Sequence, residues 1–272
     1  MPNKRFAPPP FECAHCLSTL FLGDVVGPTS VLRIKKYLPQ IKKEWKIDFI
    51  VVNGENADGF GMNANSAQTL LNSEVDVVTG GNHTLKAFSI HKALDENPQI
   101  LRPHNLGSTK TPGSGVITIP HPKGDICVIN LAGQVYMENA DNPFNTVDTL
   151  LQQNPARYYL VDFHAEATGE KISLAHHLDG QVSLAVGTHT HVQTADARIL
   201  PKGTGTITDL GICGSSSSIL GMKPEGILHY NIHHLPSKFV PSGKDIQFQG
   251  IFACLDPETG NCLKLKRINI DV

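Results

Sequence analysis

Residues 17–56 read LSTLFLGDVVGPTSVLRIKKYLPQIKKEWKIDFIVVNGEN. Residues 17–26 form an apolar run of strand length that closes on Gly23-Asp24 and Val25-Val26. Residues 29–45 follow with Val31, Ile34, Leu38 and Ile41 at helical spacing, and Thr29 stands where a helix N-cap is expected. Residues 47–52 are again apolar and end in Asn53-Gly54-Glu55-Asn56. Strand, helix and strand joined by short connections predict a layered α/β fold. In open sheets of that kind, ligands gather outside the carboxyl ends of the strands.

The same rhythm runs outward from this stretch. Helices are expected over 65–71 and 85–95, around a strand at 75–79 that ends in Gly80-Gly81-Asn82-His83. The middle is richer in strands. Residues 115–119 and 126–131 read as a hairpin turning through His121-Pro122-Lys123-Gly124. A helix over 146–153 precedes a strand at 158–163 that ends at His164. A helix over 170–178 precedes a strand at 182–186 that ends in Gly187-Thr188-His189-Thr190-His191. A short strand at 204–207, a proline-led helix at 224–234 and a closing hairpin of 246–255 with 263–270 complete the chain.

Residues 17–272 are thus expected to form one domain, and residues 1–16 an N-terminal extension outside it. Pro8, Pro9 and Pro10 suit neither a helix interior nor a central strand. Cys13-Ala14-His15-Cys16 is half of a zinc-ribbon pattern, with no second cysteine pair to complete four ligands. Cys127 and Cys254 lie in apolar runs, where a reduced cysteine behaves as a small hydrophobe.

Composition narrows the function classes. The 272 residues are 40% hydrophobic with a formal charge of -2, enough for a large core and too balanced for nonspecific binding to nucleic acid or membrane. No apolar run reaches the roughly 18 residues of a membrane span, and residues 1–10 lack the apolar stretch of a signal peptide. Cytoplasmic residence is therefore expected. With aromatics at 6% and no basic patch, no stable nucleic-acid complex is expected.

Thirteen histidines are unusual for this length, and several stand beside acidic residues, asparagine or glycine. Successive strand ends deliver Asp24, Glu55-Asn56, Asn82-His83, His164, and His189 with His191. Singly, each reads as a helix cap, a turn or a surface residue. Together on one sheet edge they predict a metal site. Carboxylate, amide oxygen and imidazole suit Mn, Fe, Zn or Mg. Six ligands exceed one open tetrahedral ion and fit two ions about 3.5–4 Å apart. The spacing of His189 and His191 predicts both side chains on one face of a strand end.

The strings GDVVG (23–27), VNGENADGFG (52–61), GGNHT (80–84), VDFHAEATGEK (161–171) and VGTHTHVQTADARILPKGT (186–204) resemble the bacterial YmdB-type family within the calcineurin-like metallophosphoesterase superfamily. The likeness spans residues 18–235. It implies a fold of β-sheets flanked by helices, with the metal site at the strand C-terminal ends. It implies two metal ions, Fe or Mn foremost with Zn or Mg also compatible. Asp24, Glu55 and His191 would surround one, and Glu55, Asn82, His164 and His189 the other. His83 is implied as the catalytic histidine, and Asn56 as a substrate-binding neighbour. The chain departs from the family pattern at Pro28-Thr29-Ser30 and at Leu85, outside the metal set.

The expected activity is hydrolysis of a phosphodiester by a hydroxide bridging two metals, and the resemblance implies 2′,3′-cyclic nucleotides foremost. A phosphomonoesterase or nucleotidase is the alternative within the enzymes. A non-catalytic nucleotide-sensing regulator is the alternative outside them. The substrate is the expected partner, no membrane is, and a homo-oligomer is compatible with the sequence.

Overall fold

The computed structural model describes residues 6–13, 15–137 and 139–272. In chain order the elements are β1 (Leu17–Leu22), β2 (Asp24–Val25), α1 (Pro28–Trp45), β3 (Phe49–Asn53), α2 (Ala64–Leu71), β4 (Val77–Thr79), a 3-10 turn (Thr84–Lys86) and α3 (Phe88–Glu96). Next come β5 (Val116–Ile119), β6 (Ile126–Ala132), α4 (Pro143–Gln153), β7 (Tyr158–His164), α5 (Thr168–His177) and β8 (Leu184–Thr188). The chain ends with β9 (Arg198–Ile199), β10 (Gly205–Ile207), β11 (Ile212–Ser215), α6 (Pro224–His233), β12 (Ile246–Leu255) and β13 (Cys262–Asp271).

The strands form two sheets, which corrects the expectation of a single ligand-bearing edge. One sheet runs β2-β11-β12-β1-β3-β4 with β13 on the other side of β12, and the second runs β5-β6-β7-β8-β10-β9. β1, β3 and β4 are parallel to one another, as are β6, β7, β8 and β10. Their inner faces pack on each other: Phe21, Val51 and Val77 from the first sheet share a cluster with Val128, Leu160 and Leu184 from the second. The outer face of the first sheet is covered by α1, whose Val31, Ile34, Leu38 and Ile41 are fully or nearly fully buried. The outer face of the second is covered by α4 and α5 through Val147, Leu150 and Leu174. Strands buried on both faces explain why these runs are continuously apolar rather than alternating.

Three local expectations change. Gly27, at φ 83°, is the N-cap of α1 and Pro28 fills its first position, so Thr29 lies inside the first turn. The helix expected over 85–95 breaks at Ala87, which is extended between the 3-10 turn and α3. β11, in the glycine- and serine-rich stretch after Leu210, lacks the apolar length that marks a strand in sequence, and it exists through pairing with β2 and β12.

The described part of the N-terminal segment lies against the first sheet. Phe11 stacks on Phe252 at 5.2 Å, and Trp45 Nε1 donates to the Ala7 carbonyl at 2.9 Å. Cys254 is not the isolated reduced core cysteine expected: its sulfur is bonded to Cys13. Cys127 is free and buried, as expected.

Candidate metal centre

The ends of the two sheets meet at Asp24, Glu55 and His164, each without measurable exposure. Asp24 sits on β2, Glu55 follows β3, Asn82 follows β4, and His164 closes β7. Glu55 Oε2 lies 2.6 Å from His164 Nε2, Asn82 Oδ1 lies 3.2 Å from the same nitrogen, and His189 Nδ1 lies 3.0 Å from it. On the other side, Asp24 Oδ1 is 3.8 Å from both His164 Nδ1 and His191 Nε2. All six residues singled out as metal ligands are therefore brought to one place, in two overlapping groups that share His164.

Small residues make the close approach feasible. A Cβ on Gly81 would run into the His164 ring, and one on Gly187 would run into the Thr208 carbonyl. The two histidines after β8 do not continue the strand. His189 and His191 have φ of 110° and 61°, a left-handed backbone that costs about 1–3 kcal/mol per residue and must be held by its surroundings. The expectation of two side chains on one strand face is thereby corrected. The loop sends His189 toward His164 and His191 toward Asp24. Asp209 anchors it: Oδ2 accepts from Thr190 N at 3.0 Å and from Lys171 Nζ at 2.8 Å.

Hydrogen bonds fix which nitrogen each ring presents. Thr188 Oγ1 donates to Asp162 Oδ1 at 2.7 Å, so it accepts from His164 Nδ1 at 2.9 Å and Nε2 faces Glu55. Glu166 Oε2 accepts from His189 Nε2 at 3.1 Å and leaves Nδ1 toward His164. The Leu220 carbonyl accepts from His191 Nδ1 at 3.0 Å, turning Nε2 toward Asp24. Partners of this kind set tautomer and basicity in histidine metal sites. Asp162, Thr188, Glu166 and Asn53 were not singled out in sequence. Asp162, Thr188 and Asn53 lie within strands, and a carboxylate two residues beyond His164 was the one available signal for Glu166.

His83 and Asn56 sit beside the cluster. The His83 amide donates to Glu55 Oε1 at 2.7 Å, and its Nδ1 is 3.0 Å from Asn56 Oδ1. Asn56 Nδ2 is 3.3 Å from His191 Nε2, so the Asn56 amide joins two histidines. A cavity of about 470 Å³ opens there, lined by His83, His189 and His191 together with Phe60, Met222 and Phe239. A larger hollow of about 780 Å³ beside Arg102 contains none of these residues.

Electrostatics mark the cluster as short of positive charge. Burial pushes the Asp24 carboxyl up to about 6 against the pull of His191 and His164. Burial would raise Glu55 as well, but His164 and His83 outweigh it and hold Glu55 down to about 2. Burial disfavours charge on His164, yet Glu55 and then Asp24 carry it up to about 9. Burial, then the neighbouring His164, push His189 down to about 4. Asp24 Oδ1 is buried and has no hydrogen-bond partner among the described residues. A buried acceptor without a donor, 3.8 Å from a His191 Nε2 that is oriented as a lone-pair donor, fits a metal ion. Glu55, His164 and His189 alone bring three ligand atoms within 4.8 Å of one another.

A family model described as YmdB-like protein matches residues 20–268. A Bacillus subtilis protein named 2′,3′-cyclic-nucleotide 2′-phosphodiesterase is 40% identical over 255 residues, covering 93% of this chain and 96% of that one. A crystal structure of a phosphatase from Mycoplasma pneumoniae superposes with a TM-score of 0.88 at 32% identity, covering 94% of each chain. A Staphylococcus aureus structure assigned as a 5′-nucleotidase, at 14% identity, shares the fold alone, with a TM-score of 0.57 over 92% of this chain and 54% of that one.

Proposed function

This chain belongs to the YmdB-like protein family, and from that premise we propose that it is a metal-dependent phosphodiesterase that opens 2′,3′-cyclic nucleotides at the 2′ ester bond. Asp24, Glu55 and His191 would hold one ion, and Glu55, Asn82, His164 and His189 a second. The donor set of carboxylate, amide oxygen and imidazole favours Fe or Mn, with Zn or Mg compatible. When loaded, such a centre supplies a water nucleophile deprotonated near neutral pH and neutralises charge on phosphate oxygens.

The chain's own groups account for the rest. His83 gives Nδ1–H to Asn56, which leaves Nε2 as the atom that would carry the transferable proton. That proton goes to the departing ribose oxygen. Asn56 holds the ring at the required angle and turns its amide toward the same space, where a phosphate oxygen would lie. Phe60 and Phe239 supply an apolar wall for the base. A cytoplasmic location forms part of this reading; among the described residues no helix is long and apolar enough to cross a membrane.

The single observation that supports it most is the orphaned, buried Asp24 Oδ1 facing the histidines. The test is incubation of the metal-loaded protein with 2′,3′-cyclic AMP, with products separated by chromatography. Accumulation of the 3′-nucleotide is expected, and metal analysis should find two ions per chain. Release of inorganic phosphate from monoesters with no opening of the cyclic ester would replace this reading by a phosphomonoesterase.

A further inference from the structure

The cluster formed by Cys13, Cys16 and Cys254 stands apart from the centre just described. Their sulfurs all lie within 4.8 Å of one another. The register explains the meeting. Ser18 on β1 pairs with Cys254 on β12, so Cys16, two residues before Ser18, and Cys13 reach the Cys254 side chain. In sequence Cys13 and Cys16 have no second cysteine pair to complete a site. The third sulfur comes from 241 residues away, where no local spacing rule can see it. Cys13 and Cys254 are disulfide-bonded, and Cys16 is a free, buried thiol beside them. Cys262, near Cys254 in sequence, pairs with Leu255 and packs between the sheets instead.

We propose that these three cysteines, when reduced, form a second metal site that takes one zinc ion and pins the N-terminal segment to the β12–β13 hairpin. Three thiolates within one ion's reach are a soft donor set that selects zinc over the harder cations suited to the carboxylate–histidine centre. The fourth position falls to water or to His15, which lines the same cavity of about 430 Å³. Glu12, Asp256 and Glu258 line it too, three carboxylates against the one cation of Lys264. Zn–S bonds are about 2.3 Å, so small side-chain shifts suffice to gather the sulfurs.

The steps balance with a phosphine reductant. The Cys13–Cys254 bond takes up two electrons and two protons to give two thiols, while the phosphine and one water become phosphine oxide. The zinc ion then displaces one proton from each of the three thiols to solvent.

The test is spectroscopic and uses the full chain with cobalt as the probe. Only sulfur ligands give an intense near-ultraviolet thiolate-to-cobalt band, so cobalt at the carboxylate–histidine centre is silent there. The phosphine-reduced protein should develop that band to saturation at one equivalent of sulfur-bound cobalt, and zinc should bleach it. The unreduced protein should not develop it, and Cys16→Ser and Cys254→Ser should each lose most of it. Because Cys254→Ser could loosen the hairpin, a second measurement uses the unmutated chain. Zinc should slow iodoacetamide labelling of Cys13, Cys16 and Cys254 and leave Cys127 unaffected. Absence of the band in the reduced protein, its persistence in both variants, or labelling of the three cysteines unchanged by zinc would overturn the proposal.

Discussion

Glu55 Oε2 lies 2.6 Å from His164 Nε2, a contact that ties the carboxyl end of one sheet to the carboxyl end of the other. Glu55 arrives after β3 and His164 closes β7, and 109 residues separate them. Without a metal, the pair is a buried carboxylate and a buried imidazole, each stabilising the other's charge. If metal ions take the place of the imidazole proton, Glu55 is the residue placed to touch both. Glu55→Gln should then lower occupancy at both positions while the fold persists. Metal analysis of the purified variant checks this, and two ions retained at unchanged affinity would remove Glu55 from the bridging position.

His83 tests the chemistry separately from the metals. His83→Ala should retain both ions and lose turnover on a cyclic nucleotide by roughly 10²–10⁴-fold, the usual cost of a missing acid–base group. An aryl phosphodiester, whose phenolate leaves without a proton, should suffer less. Steady-state kinetics on the two substrates decide it. Equal losses would assign His83 to orienting the phosphate.

Much of this site is legible in the sequence, and the missing parts share a cause. Asp24, Glu55, Asn82 and His164 each stand at the end of an apolar run, and the rule about strand ends finds them. Membership of two different sheets depends on pairings such as β6 with β7 and β1 with β12, which join distant segments and leave no local mark. Asp162 is hidden for a related reason. It lies within β7, yet it accepts from Asn53, Thr79 and Thr188 and so orients His164 from beneath. The direction of His189 and His191 depends on backbone angles that residue type does not encode. The disulfide of Cys13 with Cys254 likewise becomes visible only when the sheet register is known.

The loop carrying those histidines rests on a buried ion pair. Lys171 Nζ and Asp209 Oδ2 are 2.8 Å apart with both side chains nearly inaccessible, and Asp209 also accepts from Thr190 N and Oγ1. Lys171→Met should leave a buried carboxylate without its cation and cost about 3–5 kcal/mol. Adding Asp209→Asn, which keeps an acceptor for Thr190 and removes the charge, should recover part of the loss. Thermal unfolding of the single and double variants reads this out. A single variant as stable as the parent would show that the pair does not hold the loop.

A pH dependence follows at the opposite end of β1. Burial would raise Asp48, but Lys123 and Ser18 outweigh it and hold its carboxyl below the usual range. Lys123 Nζ donates to Asp48 Oδ2 at 2.7 Å. A carboxyl whose pKa is lower in the folded state contributes stability above its unfolded pKa, about 3.9 for aspartate, and loses it as pH falls through the folded value. Lys123→Met should therefore lower the melting temperature at pH 7, and the gap from the parent should close below about pH 4. Both side chains are partly exposed, so the effect should be about 1 kcal/mol or less. A gap that widens in acid would contradict the assignment.

The aromatic part of the cavity wall bears on substrate choice. Phe60 is half exposed and lies 5.8 Å from the His83 ring, and Phe239 lies 6.3 Å from Phe60 with the two planes tilted by 33°. Both line the cavity that contains His83, His189 and His191. A base seated there would stack on rings rather than be read by a fixed set of donors, so tolerance of all four bases is expected. Stacking of a base on an aromatic side chain is worth about 1–3 kcal/mol, roughly 5- to 150-fold in affinity. Phe239→Ala and Phe60→Ala should raise KM for 2′,3′-cyclic nucleotides within that range and leave kcat nearly unchanged. Glycerol 1,2-cyclic phosphate carries the same strained diester and no base, so its kcat/KM should not change in either variant. Kinetics on the two substrates separate the roles. Equal losses on both would mean that the rings shape the centre itself, and no loss on either would mean that the base lies elsewhere.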